Sequence, residues 1–494
     1  MSNAYTQLEK KFKRIHVLGD AAGMLHWDMA SMMPKGGAEA RAEQLALMAT
    51  MGHGLMVESE MADLLDQAEE ETGLNVWQSA NLREMRRSHT HATALDEDLV
   101  EAMSRATSSC EQLWRQARPE GDFKKIVPAL KEVLNLSRQK AKAKSEKLSC
   151  SLYDALLDQY EPEGKAAEID PIFTRLEGFL PSFLQEVLEK QQDKSFKKPA
   201  GPFALEKQEA LGKKFMAALG FDFDHGRLDV SLHPFCGGIP DDVRLTTRYD
   251  EADFTSALMG VLHETGHALY ERALPKEWRN QPVGTARGMS IHESQSLLVE
   301  MQVCRSDAFL TYALPHMKEA FAGAGPEWSL DNFTNLYREV KADYIRVDAD
   351  EVTYPAHVIL RYKLERALIE GDMEVEDIPH SWNEMMQKML GITPPSDREG
   401  CLQDVHWYDG TWGYFPTYTL GAMSAAQLFE SALKALPSLD EEIAKGEFGS
   451  LFQWLNSNVH GHGSLHSSKE LMIKATGKAL DPEVFINHLK KRYS

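Results

Sequence analysis

Residues 252–274 read ADFTSALMGVLHETGHALYERAL and run into Pro275. The stretch is helix-periodic and the proline stops it, so it predicts one helix. His263 and His267 lie four residues apart and therefore on one face, where two imidazoles can reach a single metal ion. Glu264 sits one position on from His263, at an angle that lets it approach a water on that ion without ligating it, as suits a general base. The His-Glu-x-x-His pattern also arises by chance, and two helix histidines that merely pack or face solvent are the plain alternative. An amphipathic setting with a small sheet predicted just upstream favours the metal.

A hydrolytic metal site needs a third protein ligand and one open position. The metzincin extension would put Gly and His three and six residues past His267, but Tyr270 and Ala273 stand there, which excludes that class. Downstream, Ser290-Ile291-His292-Glu293 opens a second predicted helix with apolar Leu297, Leu298 and Met301. The interval from His267 leaves room for a turn and an antiparallel return, which makes Glu293 the candidate third ligand. The same four residues also spell a capping box, with Ser290 as N-cap and Glu293 answering it. His292 is a rival ligand, aimed elsewhere on the helix by its adjacent position. Local sequence leaves these readings open.

The chain has 494 residues, 43% of them hydrophobic and 26% charged, enough apolar content for a large core. Its 54 Lys and Arg against 75 Asp and Glu leave a net charge of −21, which argues against nucleic acid or an anionic membrane surface as partner. The short basic patches, Arg138 to Lys147 and Lys194 to Lys198, are expected to be solvated faces. The five cysteines are odd in number, widely spaced and free of C-x-x-C, so no disulfide framework is expected. The first residues lack the apolar core of a signal peptide, which predicts a cytoplasmic protein. The charge-free stretch 410–429 holds three glycines, Pro416 and many polar side chains, so it predicts a loop and a helix, not a membrane span.

With no linker, charge block or repeat, the chain is expected to be a single domain over 1–494. Segments 114–117, 130–136, 183–188, 333–347 and 358–369 carry apolar residues at helical spacing, and the fold class is mainly α. Residues 227–249 are the exception: RLDVSLHPF alternates, VRLTT is β-branched, and Cys236-Gly237-Gly238-Ile239-Pro240 predicts the turn between two strands.

Motifs along nearly the whole chain resemble the carboxypeptidase Taq (thermostable carboxypeptidase) family of zinc metallocarboxypeptidases. They include His26-Trp27-Asp28 with Met33-Pro34, Tyr153-Asp154-Ala155-Leu156-Leu157, Tyr160-Glu161-Pro162, His233-Pro234-Phe235 and Asp242-Val243-Arg244-Leu245-Thr246. They continue through His263 to His267, His292-Glu293-Ser294-Gln295, Ile345 to Asp350, Gly400 to Trp407 and Gly413 to Tyr418. The resemblance implies an elongated helical body split by a deep active-site groove, similar to neurolysin and the angiotensin-converting-enzyme peptidases. It further implies Zn²⁺ (Co²⁺ suits the same ligands) on His263, His267 and Glu293, peptide substrates with a free C-terminus, and a homodimer. Tyr408 and Trp412 are bulkier than the family pattern, a departure bearing on substrate preference.

Arg346 and Asp350 are four apart, which on a helix predicts an ordinary ion pair. An exopeptidase must also recognise the substrate's free α-carboxylate, and a guanidinium offers a planar two-pronged donor; the resemblance places that role on Arg346, with Asp350 holding it. Arg244 and His233 are secondary substrate contacts by the same resemblance, or else a surface pair and a turn histidine. His406, with Asp404 fixing its tautomer, and Tyr414 and Tyr418 are candidates to stabilise the oxyanion, although the two tyrosines also suit plain packing around Pro416. His460, His462 and His466 form no closed metal site and are expected to be incidental surface histidines. Met385, Met386 and Met389 fall at helical spacing and are expected to fill the core. The expected reaction releases single C-terminal residues. The rivals are an endopeptidase or dipeptidyl carboxypeptidase on the same scaffold, and a non-catalytic metal- or peptide-binding protein.

Overall fold

The structure, a computed structural model, describes residues 3–192, 194 and 196–494. Helices dominate it, as the periodicity predicts, and none of the described helices is long and apolar enough to cross a membrane. The first four, Ala4–Ser31, Ala38–Met56, Ser59–Glu69 and Val76–Thr93, share a small apolar cluster built on Tyr5, Leu8, Phe12, Leu65 and Met85. A much larger core joins the helices from Glu97–Glu120 to Pro482–Tyr493.

Between these two bodies lies a three-stranded sheet: β1 (Gly226–Val230), β2 (Phe235–Ile239) and β3 (Asp242–Thr247) in the order β1-β3-β2. β1 runs parallel to β3 and β2 antiparallel to it. The residues predicted as the turn, Cys236 to Ile239, are strand: Gly237 and Gly238 pair with Arg244 and Val243, and the chain reverses at Pro240-Asp241. Backbone pairing with β3 outweighs the local turn preference of the two glycines. Val243 and Leu245 face Val261 and Ala268 of the metal-motif helix, which sets the sheet directly beside it.

That helix, Phe254–Ala273, starts where the Asp253 carboxylate accepts the Thr255 and Ser256 N–H groups and stops just before Pro275. Its return partner, Met289–Leu297, opens into a wider π-helical turn over Leu298–Cys304. The two run antiparallel, since His267 faces His292 while His263 faces Glu300. They also meet backbone to backbone: a Cβ at Gly266 would lie 2.4 Å from the Gln295 carbonyl oxygen and 2.6 Å from the Ser296 Cα. A third helix, Pro416–Ala435, closes on the same place through Gly421, where a Cβ would reach within 2.9 Å of the Glu293 Cβ. The stretch 410–429 is thus a loop and a helix, as predicted, with the helix largely buried in the core.

Two other expectations fail. The helix predicted over 333–347 ends at Tyr337, because later backbone donors find side chains: Val340 N–H donates to Gln191 Oε1 and Lys341 N–H to Asp350 Oδ2. Arg346–Asp348 is a separate single turn. The basic patch at 138–147 is not all solvated either, since Lys144 is buried and donates to Gln159 Oε1, and Arg138 reaches the Leu368 carbonyl. The cysteines are all free, as expected.

Gly266 and Gly260 share a helix but not a fate. Gly260→Ala meets nothing within 4 Å and should stabilise by about 0.5–1 kcal/mol. Gly266→Ala must push two backbones apart and should cost about 1–3 kcal/mol; the order of the two unfolding midpoints in denaturant checks it.

Candidate active site

His263 Nε2 and His267 Nε2 lie 3.8 and 3.4 Å from Glu293 Oε2. The three donor atoms fall within 4.8 Å of one another, the one such His/Cys/Asp/Glu group among the described residues. Their side chains are 21%, 12% and 13% exposed, so the group is not sealed from solvent, and a hydrolytic metal needs one free position.

The capping box does not form. Gly288 occupies the N-cap position, Ser290 lies inside the helix, and its N–H donates to Glu161 Oε2 at 3.1 Å. Glu293 is therefore free to turn its carboxylate to the imidazoles, with the Ser296 hydroxyl donating to it at 3.2 Å. His292, the rival ligand, stands behind the site: its Nδ1 lies 2.8 Å from His267 Nδ1 and its Nε2 2.7 Å from Glu271. Glu300 holds His263 Nδ1 at 2.9 Å and is itself held by Arg305 at 2.6 Å. Each imidazole thus has its far nitrogen fixed and its Nε2 turned to Glu293, the arrangement in which histidines bind metal well. These donors suit a divalent cation. Burial opposes charge on His263, but the Glu300 hydrogen bond and the Glu293 carboxylate outweigh it and lift that imidazole to about 10. Burial holds His267 down to about 4. It also pushes Glu264, 7% exposed, up to about 7 against the charge of His263.

A second buried group lies at the start of the Pro416–Ala435 helix. Arg346 is not on a helix with Asp350. It sits on its own single turn, donates from Nε and Nη2 to Asp404 at 3.2 and 2.8 Å, and is stacked 4.7 Å from the Tyr418 ring. Asp350 instead accepts the backbone N–H groups of Lys341, Val352 and Thr353. Asp404 does not orient His406 either: its other oxygen takes Arg361 Nε at 2.6 Å, and His406 Nδ1 is buried without a partner among the described residues. Burial opposes the Asp404 charge, yet the two guanidiniums hold it far below the usual carboxylate range. Burial lowers His406 to about 4, so the ring is neutral, with Nε2 3.3 Å from the Tyr418 hydroxyl. Tyr414 stacks edge-on against Tyr160 at 5.0 Å and Tyr418 at 5.1 Å. Burial raises both tyrosines, Tyr418 to about 12, and the Glu293 charge adds to the rise in each.

His233 is exposed beyond β1, and Arg244 is clamped by Asp242 at 3.0 and 2.7 Å and stacked 4.4 Å from Trp27. Among the described residues no hydrogen bond, ion pair or ring contact joins either to the triad or to Arg346. Tyr408 and Trp412 are fully buried, on Trp114 and Trp407 respectively, so their bulk fills core. His460 is not a surface histidine: it is buried, with Nε2 2.9 Å from Gln295 Oε1.

Sequence reading missed Glu300 and Arg305, which lie beyond any local motif, and the polar residues of the helix Tyr354–Glu370, whose apolar spacing over 358–369 did predict a helix. There Tyr354, His357, Arg361 and Glu365 stand at three- and four-residue spacing, so they form one polar stripe, and the last three are completely buried. A polar stripe within HVILRYKLE was the signal available.

The family model of the carboxypeptidase Taq (M32) metallopeptidases matches residues 7–493. Thermostable carboxypeptidase 1 of Thermus thermophilus is 37% identical over 99% of this chain and 98% of its own, and carboxypeptidase 1 of Bacillus subtilis is 36% identical over 98% of each. Among solved structures, metallocarboxypeptidase 1 of Trypanosoma cruzi superposes with a TM-score of 0.97, at 42% identity and 99% coverage of both chains.

If Glu300 fixes the metal-facing orientation of His263, Glu300→Gln should lower metal affinity by about 10–100-fold while the helices stay intact. Competition with a chelator of known affinity, alongside far-UV circular dichroism, measures both.

Proposed function

The chain belongs to the carboxypeptidase Taq (M32) metallopeptidase family and is a metallocarboxypeptidase, a peptide hydrolase; from this we propose which of its residues do the work. His263, His267 and Glu293 hold the metal, Glu264 moves the proton, and Arg346 receives the substrate's free carboxylate. A divalent ion there would polarise the scissile carbonyl and lower the pKa of a water.

Every other task falls to side chains. Glu264, lifted to about 7 by burial, can take a proton on its carboxylate and return it to the leaving amine near neutral pH. Tyr418, raised to about 12, stays protonated and serves as a donor, and with His406 Nε2 beside it offers hydrogen bonds to the developing oxyanion. Tyr414 stands next to both and is the second tyrosine candidate. The observation that carries the reading of Arg346 is a charge imbalance: two guanidiniums, Arg346 and Arg361, share the single carboxylate of Asp404. A buried surplus of positive charge is costly until an anion meets it, and the end of a peptide supplies one. Asp404 occupies the Nε/Nη2 edge of Arg346, which leaves the Nη1/Nη2 end for substrate. Release of one residue at a time follows if that carboxylate lies one peptide bond from the metal. We keep His233 and Arg244 as outer substrate contacts on the strength of family resemblance.

Zinc suits two imidazoles and a carboxylate, and cobalt suits them equally. We read the chain as one domain over 1–494, since the site draws on residues from Glu161 to Tyr418. Five free thiols support a cytoplasmic setting, and the family resemblance supports a homodimer.

Glu264→Gln should keep the metal but lose about 10²–10⁴ of kcat; near-normal turnover by the metal-replete variant would remove the proton-transfer role. Arg346→Ala should lower kcat/KM on free-acid peptides by about 1.5–3 kcal/mol for each charged hydrogen bond lost. The same variant should change turnover of C-terminally amidated peptides far less. Equal loss on both substrates would make Arg346 a structural partner of Asp404.

A further inference from the structure

Arg361 is completely buried. Its Nε donates to Asp404 Oδ2 and its Nη1 to the His357 carbonyl, both at 2.6 Å, and its guanidinium stacks 4.4 Å from the Trp382 ring. Its Nη2 has no partner among the described residues. With no exposed surface it cannot touch substrate, and it reaches the site through Asp404, which it shares with Arg346. The other titratable neighbours are neutral: burial holds His357 down to about 3 and His406 to about 4, and keeps Tyr354 and Tyr418 protonated. Among the described residues Asp404 is the one acidic side chain that pairs with either arginine.

The charges decide what Arg361 does. With Arg346 and Asp404 alone, the pair would be neutral, and an incoming carboxylate would meet an attractive and a repulsive charge at similar distances. Arg361 cancels Asp404 from behind, so Arg346 presents a whole positive charge at the front. In a dehydrated site this difference decides affinity, because little water screens it. We propose that Arg361 is a positioning residue that confers the preference for a free C-terminal carboxylate, by neutralising the aspartate that orients Arg346. This rests on Arg346 being the carboxylate receiver. It goes further in assigning the strength of recognition to a residue that never contacts the ligand.

The test compares KM and kcat of the metal-replete enzyme on an N-acylated dipeptide and on its C-terminal amide, for Arg361→Met, Arg361→Lys, the double variant Arg361→Met with Asp404→Asn, and Arg346→Ala. Arg361→Met should raise KM for the free acid roughly ten- to fiftyfold, with kcat and all amide parameters within about threefold. Arg361→Lys keeps the charge and should stay near the parent. The double variant restores a net single positive charge and should recover most of the free-acid KM, a rescue that a purely structural role cannot produce. If Arg361→Met does not fold, the lysine and double variants still decide. A lysine variant as impaired as methionine, a double variant without recovery, or equal loss on acid and amide would overturn the proposal while Arg346→Ala still discriminates the two substrates. If Arg346→Ala itself fails to discriminate, the fault lies in the assignment of Arg346 beneath it.

Discussion

The site exists because two helices touch without side chains between them. At Gly266 the backbone of the metal-motif helix lies against Gln295 and Ser296, and at Gly421 a third helix lies against Glu293. Ordinary helix pairs keep their axes 8–10 Å apart, and the bare glycines allow a closer approach that carries Glu293 to both imidazoles. Glu293 lies on the α-helical part and Glu300 on the π-helical turn that continues it, and both reach the histidines of the metal-motif helix. One addresses the Nε2 side of the histidines and the other the Nδ1 side of His263. The π-helical turn that holds Glu300 releases carbonyls from regular pairing, and Arg492 from the last helix takes those of Met301 and Gln302. Wide turns of this kind are common at functional sites because they aim a residue at the cost of local hydrogen bonds.

Buried charge is the second organising feature, and it ties distant parts of the chain together. Glu84 pairs with the fully buried Arg287 just ahead of the ligand helix, and Glu161 accepts the Ser290 N–H at its first turn. Glu351 gathers His488, Arg492, Tyr493 and Gln302. Removing one partner from such a group strands a charge in low dielectric, which costs about 3–5 kcal/mol. The entry to the helix that carries Glu293 and the turn after it are therefore each pinned by a network whose partners lie 203 and 141 residues apart. Glu365 does the same for the loop behind His406, accepting the Tyr153 hydroxyl, the Trp407 indole N–H and the Gly413 N–H.

What the sequence makes legible is what a single element decides. The spacing of His263 and His267 and the stop at Pro275 suffice for the metal helix and its face. Glu293 is different: the local pattern fits a cap as well as a ligand, and the cap fails because the helix begins earlier, with Gly288 at the N-cap position, while Glu161, far upstream, satisfies the Ser290 N–H. Asp350 looks like the partner of Arg346 only if residues 333–347 stay helical. Gln191 and Asp350 draw off the backbone donors of that stretch, so the spacing loses its meaning. Asp404 lies beside His406 in sequence, but two guanidiniums from other segments compete for it more strongly than a neutral imidazole can. In each case the deciding partner is remote in sequence, and periodicity carries no information about it.

The net charge of −21 sets a problem that the proposed role of the buried arginines would answer. A strongly acidic protein repels peptide carboxylates at long range, and in solution that repulsion fades beyond about 8 Å at physiological salt. Recognition of a C-terminus must therefore be made at close quarters, by positive charge that solvent does not screen and the acidic surface does not cancel. Arg346, Asp404 and Arg361 have side chains only 7%, 11% and 0% exposed, so their charges act within a poorly hydrated setting. There an excess of one positive charge outweighs many remote carboxylates, since interaction strength grows as distance shrinks and as dielectric falls. An acidic surface thus keeps anions at a distance in general, while the site, on the proposed roles of Arg346 and Glu264, would accept the one anion whose position also brings a peptide bond beside Glu264.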